Sequence, residues 1–360
     1  MFSHKRILVA PLDWGLGHAS RCVPIIKELQ RQGAIVIIGA SNKPLDFLLN
    51  EFPGIEHVVI PGMNVAYPKR ISLSIFMAIK APKFLKSVRE EYDVLKSLVD
   101  SYNIHGVISD NCYGMYHKTI PTVFITHQLF IKASIFSGAV NTLTEKYASR
   151  FTFCWVPDFK SEPNLAGELA HGDTDLNNLR FIGPLSRFAI PKYYTPTIRY
   201  DLLVVLSGPE PSRTQLEETI IKQLKDTKLN VLLVRGLVNS APRVEEKYTE
   251  NITRLNYLNT EELEKAILIS DMILCRSGYS SIMDLSVLKK KALFVPTKGQ
   301  TEQLYLAKKL KAEGKVFYTS RARLKIEKHL KVAKNYEGLD LQLKPELLEE
   351  AVRDFLALVN

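Results

Sequence analysis

The stretch Asp271–Leu285 constrains the fold of this chain more than any other. Its sequence, DMILCRSGYSSIMDL, begins with a short apolar run that predicts a buried strand, Met272–Cys275. Small and polar residues follow, and the apolar residues after them have the spacing of a helix. A strand, a small-residue loop and a helix N-terminus present backbone N–H groups and the positive end of a helix dipole to an anion such as phosphate. An ordinary capped helix start has the same pattern, so both interpretations stay open at this point.

The side chains around this loop predict contacts with a nucleotide. Gly278 lets the backbone approach a ligand closely, and Ser280 and Ser281 add two hydroxyl donors. Asp284 follows about one helical turn into the helix, where its carboxylate can accept a hydrogen bond from a ribose diol. The stretch therefore predicts a phosphate site with a ribose contact beside it.

The longer run Ile273–Phe317 resembles the donor-sugar domain of a bacterial glycosyltransferase family, the one that adds N-acetylglucosamine to the lipid-linked peptidoglycan precursor (glycosyltransferase family 28, C-terminal part). In that family a C-R-S-G loop ends in an acidic residue, a strand ending F-V-P follows, and a Gln pair opens the next helix. The corresponding residues here are Cys275–Gly278, Asp284, Phe294–Pro296 and Glu302–Gln303. The resemblance implies an α/β fold of the GT-B type, with two Rossmann-like domains facing a central cleft, and a UDP-sugar as donor.

Length and composition agree with two domains. The chain has 360 residues, 46% of them hydrophobic, and at roughly 150 residues per domain this length predicts two. The four cysteines are scattered without a C-x-x-C pair, which favours a reducing cytoplasm. No run approaches the roughly 18 apolar residues of a membrane-spanning helix. The formal net charge of +10 suits an anionic substrate, anionic lipid or nucleic acid, although the aromatic and basic clusters of nucleic-acid modules are missing.

We predict an acceptor-binding domain over residues 1–185 and a nucleotide-sugar-binding domain over 198–342, joined by a linker rich in Pro and Tyr. A final amphipathic helix over 345–360 is expected to pack back on the first domain, as the GT-B resemblance implies. In both domains, strands alternate with helical patterns. This alternation predicts parallel, doubly wound sheets with ligand sites at the carboxyl ends of the strands.

A glycine-punctuated loop follows the first predicted strand, Arg6–Pro11. It contains Gly15, Gly17 and His18 but lacks the third glycine of a dinucleotide fingerprint. The loop resembles the T-G-G-H loop at the same place in the glycosyltransferase family. We expect His18 to be the general base that deprotonates the acceptor hydroxyl. The alternative is that it only caps the helix predicted over Ser20–Gln32.

Two further strands of the first domain end in polar residues. Asp110 follows Gly106–Ser109, and His127 and Gln128 end the run that begins at Pro121. Asp110 is expected to act as a base or to orient one, and a turn-forming aspartate is the alternative. His127 is a second candidate base, and the resemblance places Gln128 where the family has a donor-contacting Asn.

The second domain carries the other predicted donor contacts. By resemblance, Arg187 and Leu258 occupy positions that contact the nucleotide, and Gly208 lies in the loop after the strand Asp201–Leu206. Pro209 stands where the family has a donor-contacting serine, and Glu210 is beside it. Proline has no N–H to offer, and a carboxylate near phosphate is unfavourable, so this departure bears on the identity of the donor or its binding geometry.

The complete assignment is an inverting, metal-independent glycosyltransferase without a cofactor. Asp173–Asp175 has the D-x-D form of a metal site, but its Gly and Asn neighbours predict an exposed turn instead. Asp284 is expected on the ribose, and Glu302 and Gln303 on the sugar hydroxyls. The residues expected to hold the diphosphate are Arg276, Ser277, Gly278, Ser280 and Ser281.

The acceptor is a hydroxyl compound, and the resemblance allows a lipid-linked one. The apolar and basic segment Tyr67–Tyr92 is predicted to dock on an anionic membrane, which would make this a cytoplasmic protein peripheral to the inner face. Phe84 lies off the helical stripe that contains Leu85, so the apolar surface is wider than one buried face needs. A core-facing stripe is the alternative. A nucleotide-sugar 2-epimerase and a non-catalytic nucleotide-sugar-binding protein of the same fold are the other candidate functions.

Overall fold

The structure is a computed structural model that describes residues 4–13, 15–60, 73–130, 137–188, 197–238, 246–341 and 344–359. For residues 73–81, 137, 139 and 140 it describes the backbone alone. The chain divides into two compact units. Unit 1 contains Met1–Leu185 together with Leu343–Asn360, and unit 2 contains Ser186–Gln342.

Unit 1 is built on a parallel sheet of seven strands in the order β3-β2-β1-β4-β5-β6-β7. The strands are β1 (Arg6–Pro11), β2 (Ile35–Ala40), β3 (Glu56–Val59), β4 (Gly106–Asp110), β5 (Thr122–Ile125), β6 (Phe153–Val156) and β7 (Leu179–Phe181). The central strands β1, β4 and β5 are buried along nearly their whole length because helices cover both faces of such a sheet. Pro11 pairs with Asp110 in the register of β1 and β4, so both strands end at the same edge.

In the described residues of unit 1, the helices before its last strands are α1 (Leu16–Arg31), α2 (Asn42–Glu51), α3 (Leu73–Ser101) and α4 (Ser137–Ala148). The prediction that α1 begins at Ser20 was wrong. Gly15 adopts φ 105°, a conformation that favours glycine, and the helix begins immediately after it. Gly17 and His18 therefore lie in the first turn of α1 and not in a loop. Pro82, in the segment predicted to dock on a membrane, lies inside a single helix, α3.

Unit 2 repeats this plan with a second seven-stranded sheet in the order β10-β11-β9-β8-β12-β13-β14. Its strands are β8 (Tyr200–Val205), β9 (Val231–Val234), β10 (Glu246–Lys247), β11 (Ile252–Leu255), β12 (Ser270–Cys275), β13 (Ala292–Phe294) and β14 (Phe317–Tyr318). All neighbours are parallel except β10 and β11. Its helices are α5 (Ser212–Leu224), α6 (Thr260–Leu268), α7 (Tyr279–Val287), α8 (Thr301–Ala312) and α9 (Ile326–Ala333).

The last helix, α10 (Pro345–Leu358), belongs to unit 1. The ring of Phe355 lies 6.2 Å from that of Trp155 on β6, edge to face. Lys5 donates to the carbonyl of Leu356 at 2.9 Å and ties the end of α10 to the start of β1. Gly106 leaves room for this packing, since a Cβ atom there would lie 2.8 Å from Cζ of Phe355.

Two other sequence patterns fall within the described residues. The basic stretch from Arg321 to Lys334 contains α9, and two residues of this helix, Ile326 and Leu330, are buried in the core of unit 2. Among the described helices, none has the length and apolar character needed to cross a membrane.

Candidate active site

The carboxyl ends of β1 and β4 bring two predicted catalytic residues of unit 1 together. The backbone N–H of Leu12 donates to the carbonyl of Asp110 at 2.9 Å, and α1 starts four residues later. His18, in the first turn of α1, thereby reaches the Asp110 carboxylate, and its Nδ1 atom lies 2.9 Å from Oδ1. The structure thus places at one sheet edge a histidine and an aspartate that the sequence separates by 92 positions.

Sequence reasoning missed a third member of this group, Arg21. Its guanidinium pairs with both carboxylate oxygens of Asp110, through Nε and Nη2. Nη2 also lies 2.8 Å from Nδ1 of His18, and Nη1 lies 2.9 Å from Nδ1 of His127. The available signal was the spacing of His18 and Arg21, since residues three apart lie on one helix face. Asp110, Arg21, His18 and His127 form what we call the Arg21 cluster.

Burial makes the electrostatics of the Arg21 cluster strong. The Asp110 side chain is 0% exposed and that of Arg21 is 2% exposed, whereas His18 keeps 17% of its side chain accessible. Burial alone would raise the pKa of Asp110, but Arg21 and His18 outweigh it and hold the pKa below its usual range. Burial, Arg21 and His127 lower the pKa of His18, while Asp110 opposes that shift. A neutral, partly accessible imidazole beside an ionised carboxylate can accept a proton from a substrate.

The other predicted residues of unit 1 are close in sequence to members of this cluster. Gly15 and Gly17 are exposed at the start of α1, and a Cβ atom at Gly15 would meet nothing within 4 Å. His127 follows β5 and is buried against Arg21. Gln128 is half-buried, and its backbone N–H donates to the hydroxyl of Thr126. The contact of Gln128 with the donor stays a prediction.

In unit 2, the strand, loop and helix predicted around Gly278 are present. β12 ends at Cys275, and α7 begins at Tyr279 with Gly278 as its N-cap residue. Gly278 has no side chain to cap the helix, and a Cβ atom built on it would meet nothing within 4 Å. Ser280 and Ser281 lie in the first turn and are half-buried. The open N-terminus of α7 is therefore suited to an anion.

Arg276 and Ser277, two of the expected diphosphate contacts, bond to protein groups in this structure. Arg276 is 2% exposed and donates to the carbonyls of Val295 at 2.8 Å and Ser212 at 3.0 Å. Burial lowers the pKa of its guanidinium to about 10. The Ser277 hydroxyl donates to the carbonyl of Gln303 at 2.7 Å. Both side chains brace the loops at this edge of the sheet, and their contact with a diphosphate stays a prediction.

Asp284 and Arg187, both predicted to contact the nucleotide, lie together. The Asp284 carboxylate accepts hydrogen bonds from the hydroxyl of Ser186 at 2.7 Å and from Nε of Arg187 at 3.3 Å. Burial raises the pKa of Asp284, and Arg187 and Ser186 act against that rise. Asp284 thus fixes the segment that carries Arg187, a role that the sequence pattern did not reveal. Its predicted contact with ribose remains a prediction.

The remaining predicted residues of unit 2 follow three different strands, β8, β11 and β13. Gln303 accepts from the backbone N–H of Thr297 at 2.8 Å through its side-chain oxygen, and Glu302 beside it is half-buried. Gly208 adopts φ 97°, and a Cβ atom on it would lie 3.5 Å from the hydroxyl of Thr297. Leu258 follows β11 and is buried.

The structure also explains how Glu210 is tolerated beside the predicted donor loop. Arg213 donates to Oε1 of Glu210 at 2.6 Å, and the backbone N–H of Thr214 donates to Oε2 at 3.2 Å. Arg213 also pairs with buried Glu217 at 2.8 Å. The charge of Glu210 is therefore balanced by a cation and a helix N–H, which reduces the repulsion that its sequence position suggests.

Asp173 and Asp175 of the D-x-D sequence are both exposed. Within the part of the chain that the structure describes, no three His, Cys, Asp or Glu side chains are grouped so that they could hold a metal ion.

Most of the predicted membrane segment, including Ile71, Phe76 and Lys80, lies outside the residues or side chains that the structure describes. At its described end, the ring of Phe84, which lies off the predicted stripe, is 5.3 Å from that of Tyr113. Of the stripe residues, Leu85 is 48% exposed and Val88 is buried. The described part of the stripe therefore does not face the core throughout, and docking on a membrane stays a prediction.

Comparison with known proteins gives consistent similarities. Residues 203–354 match the glycosyltransferase family 28 C-terminal domain. The chain is 21% identical over 302 residues to the UDP-N-acetylglucosamine–N-acetylmuramyl-(pentapeptide) pyrophosphoryl-undecaprenol N-acetylglucosamine transferase of Finegoldia magna, covering 79% of this chain and 76% of that protein.

Two solved structures share the fold. The glycosyltransferase SnogD from Streptomyces nogalater superposes with a TM-score of 0.63 at 15% identity, covering 99% of this chain and 100% of that one. The MurG structure from Acinetobacter baumannii superposes with a TM-score of 0.52 at 15% identity, covering 98% and 95%. These similarities confirm the α/β fold of the GT-B type that the sequence predicts.

Proposed function

We propose that this protein, a GT-B glycosyltransferase whose residues 203–354 belong to the family 28 C-terminal domain, moves a sugar from a UDP-sugar to a hydroxyl acceptor with inversion and without a metal. One observation carries the proposal. His18 lies at the start of α1 with Nδ1 2.9 Å from a buried, ionised carboxylate, that of Asp110. A carboxylate in this position orients the imidazole and stabilises the positive charge that forms when it takes a proton.

The proposed reaction is a single displacement. Nε2 of His18 takes the proton of the acceptor hydroxyl, and the acceptor oxygen forms a bond to the anomeric carbon of the sugar. The bond between that carbon and the diphosphate oxygen breaks on the opposite face, and its electron pair leaves with UDP. One displacement inverts the configuration at the anomeric carbon. Asp110 keeps its charge throughout and balances the imidazolium.

Unit 2 is proposed to stabilise the leaving group. The N-terminus of α7 offers backbone N–H groups and the positive end of the helix dipole at Gly278, where a ligand can approach closely. Fixed donors of this kind stabilise developing negative charge without a metal ion. We propose that Ser280 and Ser281 contact the diphosphate. Glu302 and Gln303 are proposed to contact the sugar hydroxyls.

The proposed acceptor is a lipid-linked hydroxyl compound. The relative from Finegoldia magna is named for an undecaprenol-linked acceptor and an N-acetylglucosamine donor. We propose the same classes of substrate for this chain, and contact of the segment 67–92 with an anionic membrane. On the described end of this segment, Lys83, Lys86 and Arg89 are all exposed.

The test begins with donor binding. Thermal unfolding is measured with UDP-N-acetylglucosamine, with other UDP-sugars, and with sugars linked to thymidine diphosphate or guanosine diphosphate. A ligand at a hundred times its Kd adds about 2.7 kcal/mol of stability, so the preferred donor raises the unfolding temperature most. Transfer to an undecaprenyl-diphosphate-linked saccharide is then followed by NMR of the product's anomeric proton, with and without EDTA.

An α-linked donor yielding a β-linked product at the same rate in EDTA supports the proposal. Loss of transfer in EDTA, or retention of configuration, contradicts the mechanism. Release of an epimerised free sugar without acceptor identifies a 2-epimerase. Donor binding without turnover on any acceptor identifies a binding protein.

A further inference from the structure

We infer that Arg21 is a positioning residue: it holds His18 in the neutral form and fixes the tautomer of neutral His127 in the Arg21 cluster. The inference rests on the proposed role of His18 as the base. Arg21 is the central member of the cluster, since its guanidinium contacts both carboxylate oxygens of Asp110 and Nδ1 of each histidine. The side chain is almost fully buried, so these contacts account for its charge.

The first step of the argument concerns Asp110. A buried, ionised carboxylate next to an imidazole stabilises the imidazolium and would keep a proton on His18. An imidazolium cannot act as a base. Arg21 spans both oxygens of Asp110 and balances their charge, so Asp110 stays ionised without needing a proton on His18.

The second step concerns Nδ1 of His18. This atom can donate a hydrogen bond to Asp110 at 2.9 Å or accept one from Arg21 at 2.8 Å, but it cannot do both. Only donation to Asp110 leaves the lone pair on Nε2, the tautomer a base needs. The cluster therefore satisfies both neutral tautomers of His18, while Arg21 opposes the doubly protonated ring.

The third step concerns His127. A guanidinium only donates hydrogen bonds, so Nδ1 of His127, 2.9 Å from Nη1 of Arg21, must present its lone pair. The proton of neutral His127 is then on Nε2. The two histidines therefore differ: His18 presents a lone pair on Nε2 when its Nδ1 donates to Asp110, whereas neutral His127 carries its proton on Nε2.

Among the described residues, the charged and titratable groups that act on His18 come from three elements. Asp110 ends β4, Arg21 is on α1, and His127 follows β5. Asp110 favours the imidazolium, and both Arg21 and His127 oppose it. Removing Arg21 should therefore raise the pKa of His18, and removing the charge of Asp110 should lower it.

NMR titration of the histidine side chains of the full chain tests this without any substrate. We compare the wild type with R21Q and D110N, and use R31Q as the matched control, because Arg31 is an exposed arginine on the same helix. Exposed His57 serves as the internal reference. In the wild type, His18 should titrate below the usual value of about 6.5. R21Q should move its midpoint up by at least one pH unit, D110N should move it down, and R31Q should leave it unchanged.

A purely structural role for Arg21 would not shift the midpoint in opposite directions in R21Q and D110N. A wild-type midpoint above pH 7, or an R21Q midpoint equal to that of the wild type, overturns the inference. If R21Q does not fold, R21K keeps the charge but cannot span both carboxylate oxygens and two rings. His18 in R21K should then titrate near the wild-type value but with its ring signals broadened or split, and a rise equal to that expected for R21Q contradicts the argument.

Activity provides the second measurement. In R21Q the acid limb of kcat/KM should move to higher pH together with the His18 midpoint, while the KM for the donor stays the same. If the NMR shifts occur but no acceptor is glycosylated by the wild type, the proposed function fails and the electrostatic role of Arg21 stands. If the wild type transfers sugar and R21Q keeps its pH profile, only this inference fails.

Discussion

The Nδ1 atom of His18 lies 2.9 Å from Oδ1 of Asp110. Asp110 is the last residue of β4, and His18 lies in the first turn of α1, which follows β1. The two residues meet because β1 and β4 are neighbouring strands that end in register. The carboxylate has no access to solvent, whereas the imidazole keeps part of its surface open. This difference supports our proposal that Asp110 orients the imidazole and His18 accepts the proton.

Replacing His18 is expected to abolish turnover and leave donor binding unchanged. Loss of a general base typically costs about 10²–10⁴ in rate. In His18→Asn and His18→Ala, kcat should fall by this amount, and calorimetry should give the wild-type Kd for UDP. His57→Ala, at an exposed position on β3, is the control and should be fully active. Near-normal kcat in either His18 variant would move the base to Asp110 or His127.

Asp284→Ala is expected to weaken nucleotide binding. The variant loses the proposed ribose contact and also releases Ser186 and Arg187, which Asp284 holds. A hydrogen bond to a charged group contributes on the order of 1.5–3 kcal/mol, so the Kd for UDP should rise at least tenfold. Calorimetry measures this, with exposed Asp226→Ala as the control. Wild-type affinity in Asp284→Ala would exclude both a contact between Asp284 and the ribose and an indirect effect of Asp284 through Ser186 and Arg187.

Glu91 should make the stability of unit 1 depend on pH. It is buried on α3 and accepts one hydrogen bond, from the backbone N–H of Gly114 at 2.8 Å. Burial raises its pKa from 4.5 to about 7, although the bond from Gly114 acts in the opposite direction. Below pH 4.5 the group is protonated in both states and has no effect on stability.

As pH rises from 4.5 to 7, the unfolded chain releases this proton while the folded chain retains it, so the free energy of unfolding falls. The total loss is about 3 kcal/mol, since one unit of pKa difference corresponds to about 1.4 kcal/mol. Chemical denaturation at several pH values should show this slope in the wild type and in Glu90→Gln, whose residue is exposed, but not in Glu91→Gln. If the free energy of unfolding depends on pH in the same way in the wild type and in Glu91→Gln, then burial does not raise the pKa of Glu91.

Lys80, Lys83 and Lys86 are expected to strengthen binding to anionic vesicles. Each cation near an anionic lipid surface adds about 1 kcal/mol, so changing all three to Glu should weaken co-sedimentation by two orders of magnitude or more at low salt. The control changes Lys222, Lys225 and Lys228 to Glu, since these residues of unit 2 are exposed and the charge change is the same. Equal loss in both variants would indicate attraction by net charge alone, and no binding by the wild type would favour a soluble acceptor.

The sequence alone determined the elements and their order. Short apolar runs such as Ile7–Ala10 and Met272–Cys275 form buried strands, and the final helix predicted over 345–360 is α10, Pro345–Leu358. The strand, loop and helix around Gly278 were also predictable, because backbone preference and hydrophobic period act over a few neighbouring residues. An error arose where local propensity was misleading, since Gly17 concealed the first turn of α1.

Only the tertiary structure decided which distant side chains meet. Arg21 attracted no attention in the sequence, yet strand register and the position of α1 place it between Asp110 and two histidines. Arg276 has the sequence position of a phosphate ligand, but the folded chain directs it to the carbonyls of Val295 and Ser212. Local sequence determines secondary structure through short-range sterics and periodicity. The partner of a charged side chain depends instead on packing between segments far apart in the chain, where burial makes each unpaired charge costly.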